Sequence, residues 1–139
     1  MASLPPSTRF DATYEGDTST MNPARCDVRT WIGASKVALS APIDDVVLAL
    51  SELISNAIEA APGCIYRVRI SVEADRLGLN VTNNGTVVLP ESTQWSPEYD
   101  LASSGRGLAI VAAVSDSVET FTEDGATSVV AWFLQAAPE

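Results

Sequence analysis

The sequence predicts an α/β fold in which amphipathic helices pack against a largely antiparallel sheet. Residues 44–61 place apolar side chains at three- and four-residue steps, the spacing of one helix face. Residues 65–82 and 117–134 each contain two alternating segments around a short turn, as β-hairpins do. A chain of 139 residues, 46% of them hydrophobic, is long enough to form one domain with its own core.

The other elements are expected in chain order around these three. Residues 1–8 have the composition of a flexible tail, and residues 9–139 are expected to form a single domain. Residues 9–18 alternate weakly, as a short strand would. Pro23 suits the first turn of a helix that continues to about residue 38. Its candidate core residues are Val28, Trp31, Ile32, Ala34 and Val37.

A stretch of low periodicity separates the first hairpin from the next helix. Residues 86–104 contain two prolines and a polar mixture, TQWSPEYD. A loop of this length is uncommon in a compact domain and is often a functional lid. The alternative is a poorly ordered surface excursion.

Composition excludes several classes of function. The chain has no histidine, so it carries no histidine-based triad and no phosphohistidine. Two cysteines, Cys26 and Cys64, do not make a disulfide framework. A net charge of −10 disfavours direct nucleic-acid binding, because few cations are present to neutralise phosphates. No apolar run approaches a membrane span and no signal pattern begins the chain, so a cytoplasmic location is expected.

The helix at residues 44–61 has a second, polar face. Glu52 and Asn56 are one turn apart and point the same way. Taken alone, this pair is compatible with the solvated side of an amphipathic helix. Two other polar sites later in the chain favour a functional reading instead.

Those sites are Asn83-Asn84-Gly85 at a strand end and Gly105-Arg106-Gly107 at a helix start. A glycine-rich helix N-terminus presents unpaired N–H groups to an anion. Asparagine offers a neutral oxygen to Mg²⁺, and a carboxylate can accept a proton from water or a hydroxyl. Together these are the parts of a site for a magnesium-bound nucleotide.

The order of these motifs resembles the Bergerat-fold (GHKL) ATP-binding domains, and within them the small anti-sigma-factor serine kinases. The similarity covers roughly residues 25–133, and ELISNAIEA and SGRGLAIV are its most specific parts. It implies a two-layer α/β sandwich with a mixed, mostly antiparallel sheet and helices on one face. It also implies that the nucleotide lies between the helices and the lid.

The resemblance assigns roles to individual residues. Asn56 would be the Mg²⁺ ligand, and Glu52 the general base that activates water or a serine of a partner. Asn83 would stand where the family has an aspartate that holds the adenine amino group, with Gly85 in the same turn.

It also assigns the phosphate-binding segment. Gly105 and Gly107 would wrap the phosphates of ATP, and Leu108 would begin the helix beneath them. Arg106 would reach a phosphate or point to solvent.

Two positions depart from the family pattern. Asn83 replaces the aspartate, and Val87 replaces a glycine. An amide oxygen accepts a hydrogen bond without charge, and charge-assisted hydrogen bonds are roughly twice as strong as neutral ones. Nucleotide binding that is weaker or altered in base preference is therefore one expectation.

The function that the resemblance implies is that of an ATP-binding anti-sigma-factor regulator. Such a protein would sequester a sigma factor and phosphorylate a serine of an anti-anti-sigma (STAS-type) partner. The alternatives are a non-catalytic protein-binding module with a degenerate nucleotide pocket, and the detached catalytic half of a histidine kinase whose phosphoacceptor is on another chain. Many domains of this family pair with a second copy, so the resemblance also implies a possible homodimer.

Overall fold

The computed structural model is a two-layer α+β sandwich and describes residues 8–83, 105–123 and 125–136. This confirms the predicted fold class. A single 3-10 turn, Thr18–Thr20, precedes the first helix. The helices are α1 (Met21–Ala34), α2 (Ile43–Ala60) and α3 (Gly105–Val114), and the strands are β1 (Thr8–Tyr14), β2 (Tyr66–Val72), β3 (Arg76–Asn83), β4 (Ser117–Glu123) and β5 (Ala126–Leu134).

The five described strands form one sheet in the order β1-β2-β3-β5-β4, and every neighbouring pair among them is antiparallel. Both predicted hairpins, β2–β3 and β4–β5, are present. The backbone N–H of Glu73 donates to the carbonyl of Arg76 at 2.8 Å and closes the first turn. Gly125 closes the second with φ of +79°, a left-handed conformation that glycine adopts without steric penalty.

Helix α2 is the central element of the helical layer. It packs on the sheet, mainly on β3, and has α1 and α3 as its neighbours. Its predicted apolar stripe is buried, including Leu50, Leu53, Ile54 and Ala57. Asp44 and Asp45 lie in its first turn, where negative charge suits the helix dipole. The spacing of apolar residues therefore predicted correctly both that this segment is helical and which of its faces packs on the sheet.

The inner face of the sheet supplies the other half of the core. Alternate residues of the central strands, such as Leu79 and Val81 on β3 and Ala131 and Phe133 on β5, are buried beneath the helices. Tyr66 on β2 is also buried, and its hydroxyl lies 2.7 Å from the hydroxyl of Thr20. That contact ties the 3-10 turn before α1 to the sheet.

Side chains of the sheet itself cover part of its outer face. The Trp132 ring lies across Gly78, its register partner on β3, where a Cβ atom would be 2.6 Å from the ring. The guanidinium of Arg76 lies 3.6 Å from the centre of the same ring. Beside them, Thr82 connects Ser128 (2.6 Å) and Asn80 (2.8 Å) by hydrogen bonds.

The sequence-based expectations for the N-terminal elements were wrong in detail. Helix α1 ends at Ala34 rather than near residue 38, because the backbone N–H of Ser35 bonds to Trp31 and Ile32 and its own backbone is extended. Ala34 is exposed and is not a core residue. Strand β1 ends at Tyr14 rather than at residue 18, because Asp17 caps the 3-10 turn. The expected lid, residues 86–104, lies outside the described residues.

The approach of Trp132 to Gly78 leads to a stability prediction. Gly78→Ala places a methyl group inside the van der Waals radius of the ring, so we expect a loss of about 1–3 kcal/mol in the free energy of unfolding. Gly33→Ala is the matched control, since nothing lies within 4 Å of its added Cβ. There the higher helix propensity of alanine should stabilise the fold by up to about 1 kcal/mol. Urea denaturation measures both, and equal effects of the two changes would contradict the packing described.

The ion pair between Asp11 and Arg67 predicts a pH dependence. Arg67 donates two hydrogen bonds to the Asp11 carboxylate, from Nε at 2.7 Å and from Nη2 at 2.5 Å, and these lower the pKa of Asp11 below 3.8. Because the pKa of Asp11 is lower in the folded state, the ion pair stabilises the fold above pH ~4. This stabilisation is lost as the pH falls through the folded-state pKa of Asp11.

Because both side chains are partly exposed, we expect Asp11→Asn to lower the unfolding free energy by about 1 kcal/mol or less at pH 7. The difference should shrink below pH ~4 as the wild-type carboxylate is protonated. A double-mutant cycle with Arg67→Gln, followed by urea denaturation at both pH values, isolates the pair. A coupling that is equal at pH 7 and at low pH would refute the assignment.

Candidate nucleotide-binding site

Glu52 and Asn56 lie on the exposed side of α2, where both are half-buried. The helix holds them one turn apart, about 6 Å along its axis. On its other flank, Ser51 accepts a hydrogen bond from Arg25 of α1 at 3.1 Å. The two helix flanks therefore have different neighbours, and Glu52 belongs to the flank that faces α3.

Gly107, in the first turn of α3, lies beside the Glu52 carboxylate. A Cβ atom added at Gly107 would lie 2.9 Å from Oε2 of Glu52 and 3.8 Å from its Cβ and Cδ. A larger residue at position 107 would require the flexible end of the Glu52 side chain to shift, whereas glycine leaves that space to the carboxylate in its present position. Thus Gly107 allows an acidic side chain of α2 to lie directly over the start of α3.

Two buried side chains hold helix α3 with its N-terminus beside the Glu52 carboxylate. It begins at Gly105, and Leu108 and Val111 are buried in the core below it. The first N–H groups of any α-helix have no partner within the helix, and they favour anions. The site thus combines an acceptor on α2 with backbone donors on α3. The side chain of Arg106 lies outside the described residues.

Asn83 ends β3 and is buried, with 5% of its surface exposed. Its register partners are Tyr66 on β2 and Thr127 on β5. It follows Leu79 and Val81 on the face of the sheet that packs against the helices. The next residues of the predicted motif, Gly85 and Val87, lie outside the described part of the chain.

Thr127 is a buried polar residue beside Asn83 that sequence reasoning did not single out. It is 3% exposed and lies directly opposite Asn83. A local signal existed, because Thr127 is a polar residue at the first inward position of a strand, ATSVVAWFL, whose other inward positions are apolar. Its pairing with Asn83 was not visible, because β3 and β5 are far apart in sequence and only the assembled sheet sets their register.

The charges of this surface are mostly negative along α2. Asp44, Asp45 and Glu59 share its outer side with Glu52, and Arg29 of α1 pairs with Asp44 at 3.0 Å. Among the residues that the structure describes, no group of three or more acidic, cysteine or histidine side chains could hold a metal ion. None of the three described helices is long and apolar enough to cross a membrane.

The five-stranded antiparallel sheet with its layer of helices is the fold of a Bergerat-type (GHKL) ATP-binding domain. The chain belongs to the histidine kinase-like ATPase domain family, whose profile matches residues 15–132.

A solved structure with a similar fold is that of the RsbU and RsbW domains of Rv1364c from Mycobacterium tuberculosis. The TM-score is 0.58 at 18% sequence identity, and the match covers 93% of this chain. It covers 34% of the Mycobacterium chain, so the protein described here spans about a third of that one. No curated protein sequence matches the chain.

The contact between Glu52 and Gly107 predicts an energetic coupling between α2 and α3. In the wild type, Gly107→Ala should make the flexible end of the Glu52 side chain move aside, so we expect the unfolding free energy to fall by no more than about 1 kcal/mol. In a Glu52→Ala background the same change should be neutral, or stabilising by up to about 1 kcal/mol because alanine is the better helix former. Urea denaturation of the four proteins gives the coupling, and additive effects would contradict the geometry.

Proposed function

We propose that the protein binds magnesium-bound ATP between α2, α3 and the end of β3. We further propose that it transfers the γ-phosphoryl group to a serine of an anti-anti-sigma (STAS-type) partner and that it also sequesters a sigma factor. The observation that carries the proposal is the position of the Glu52 carboxylate over the first turn of α3, 2.9 Å from where a Gly107 Cβ would be. Family membership and the RsbW-like fold support it.

The residues present fit such a ligand. Space at Gly107 lets a phosphate approach the backbone donors of α3, as glycine does wherever a ligand comes close to the chain. Asn56 would offer one neutral oxygen to Mg²⁺, which usually takes its other ligands from water and substrate phosphates. Asn83, a buried polar group at the sheet end, would hold the base.

Within this site the chain's own groups have distinct tasks. ATP, when bound, supplies the phosphoryl group and Mg²⁺ neutralises its charge. Glu52 accepts the proton of the serine hydroxyl that attacks. The N–H groups of Gly107 and Leu108 stabilise the negative charge on the phosphate oxygens. Positioning and charge stabilisation provide most of the catalysis in phosphoryl transfer, so rigid support by α2 and α3 is required.

A second candidate function is a protein-binding module with a degenerate nucleotide pocket. Asn83 and Val87 favour it, because both replace residues that the family uses around the base. The retention of Glu52 opposes it, because a module that only binds a partner has no need of a general base.

The two candidates predict different results for purified protein titrated with ATP by calorimetry, with and without Mg²⁺. The kinase predicts magnesium-dependent binding. Glu52→Gln should retain that binding yet reduce phosphate transfer to STAS-domain proteins by about 10²–10⁴-fold, the usual contribution of a general base. Asn56→Ala should remove the dependence on Mg²⁺.

Glu59→Gln is the matched control, because Glu59 is an exposed carboxylate of the same helix, about two turns beyond Glu52. It should change neither binding nor transfer. Absence of ATP binding by the wild type would exclude the kinase and leave the binding module. A transfer rate that is unaffected by Glu52→Gln would remove Glu52 from its role as base.

A further inference from the structure

Leu48 is an apolar residue on the exposed side of α2, one turn before Glu52. Its side chain is 41% exposed, and among the large apolar residues that are this exposed in the described ranges it is the one that belongs to a helix. A four-residue step places it on the same side as Glu52, about 6 Å away along the axis. A single exposed leucine is ordinary on a protein surface, so its meaning depends on what surrounds it.

The residues around Leu48 form one stripe along α2. Asp45, Leu48, Glu52 and Asn56 follow one another at steps of three or four residues, the spacing of a single helix side. Asp45 lies about 10 Å from Glu52 along the axis. The whole helix contains four acidic residues and no basic one. A protein that covers this side of α2 therefore meets negative charge around one apolar side chain, and a basic surface suits it best.

Helix α2 runs from one end of β3 to the other. Before the helix begins, Leu39 pairs with Gln135, which directly follows the register partner of Arg76 at the start of β3. After the helix ends, a short connection leads to Tyr66, which pairs with Asn83 at the end of β3. Because α2 packs on β3, its N-terminal half lies over the start of that strand and its C-terminal half over the end.

This direction orients the proposed nucleotide along α2. With the base at Asn83 and the phosphates between Glu52 and Gly107, the nucleotide extends from the C-terminal half of the helix toward its N-terminal half. In the transfer, the serine oxygen bonds to the γ-phosphorus as the bond to the ADP oxygen breaks, and the serine proton passes to Glu52. The attacking and leaving oxygens lie roughly in line. The serine must therefore arrive from the side opposite ADP, where Leu48 and Asp45 lie.

We propose that the phosphoacceptor protein docks on the N-terminal half of the exposed side of α2, with Leu48 as its apolar contact and Asp45 as its charged contact. This inference rests on the proposed kinase function and specifies its partner. The partner is a STAS-type protein that presents an apolar side chain about 6 Å from its phosphoacceptor serine and a lysine or arginine about 10 Å from it, the spacings that α2 sets. Leu48 and Asp45 position that protein and take no part in the chemical step.

The test is steady-state phosphate transfer from ATP to purified STAS-domain proteins, together with calorimetric titration of ATP. Leu48→Ala should raise the KM for the STAS-domain protein about fivefold or more, because the truncated side chain no longer fills the partner's apolar site. The kcat and the dissociation constant of ATP should not change, since a loss of partner binding alone leaves the chemical step intact. Alanine is a good helix former and Leu48 is exposed, so the variant should fold.

Leu134→Ala is the matched control for Leu48→Ala. It makes the same change at a leucine that is 45% exposed but lies on the outer face of the sheet, so the KM should stay at the wild-type value. Asp45→Asn is the second variant and should raise the KM about twofold to fivefold at low salt. In ~1 M salt, where the screening length falls to about 3 Å, that difference should disappear while the effect of Leu48→Ala persists. Glu59→Gln, nearer the C-terminal end of α2, should have no effect at either salt concentration.

Each other outcome overturns the inference in a distinguishable way. Equal effects of Leu48→Ala and Leu134→Ala on the KM refute the docking surface and leave the kinase intact. A lower kcat at unchanged KM in Leu48→Ala places that residue in support of the chemical step and not in docking. Binding of ATP without transfer to any STAS-domain protein tested overturns the partner and leaves nucleotide binding standing. Absence of ATP binding overturns the proposed function together with the inference.

Discussion

The packing of α2 on the sheet is the interaction on which the rest of the domain depends. Leu50, Leu53 and Ile54 are buried against the inner face, each worth about 1.5–3 kcal/mol relative to exposure. Successive side chains of an α-helix are separated by a fixed angle of about 100°. Burying these three side chains therefore also fixes the directions of all the others on α2. A turn of α2 by one residue, about 100°, would bring Glu52 into the apolar layer, where an unpaired carboxylate is strongly disfavoured.

The same rotation decides how α3 can pack. The Glu52 carboxylate lies against the start of α3 at Gly107, where the absence of a side chain leaves room for it. Leu108 and Val111 then hold α3 in place from below. The phosphate end of the proposed site is thus created by helix packing, and the base end is created by the sheet.

No described helix covers the outer face of the sheet, so its side chains must shield one another from water. Its central strands avoid exposing a large apolar surface by laying Trp132 across Gly78 and covering the ring with Arg76. Thr82, Asn80 and Ser128 satisfy one another by hydrogen bonds beside it. This arrangement leaves the inner face at residues 83 and 127 as the place where the described sheet presents buried polar groups to the helical layer.

Local periodicity in the sequence determined the elements, the apolar side of α2 and both hairpins, because three- and four-residue or alternating spacing follows directly from backbone geometry. It also placed Glu52 and Asn56 on one helix face, and the family resemblance suggested their partners. Only the tertiary structure decided which neighbours those side chains meet. The proximity of Gly107 to Glu52 and the pairing of Thr127 with Asn83 join residues more than 40 positions apart, and such contacts depend on helix rotation and strand register. Neither is encoded in any short stretch of sequence, because both are set by how the whole core packs.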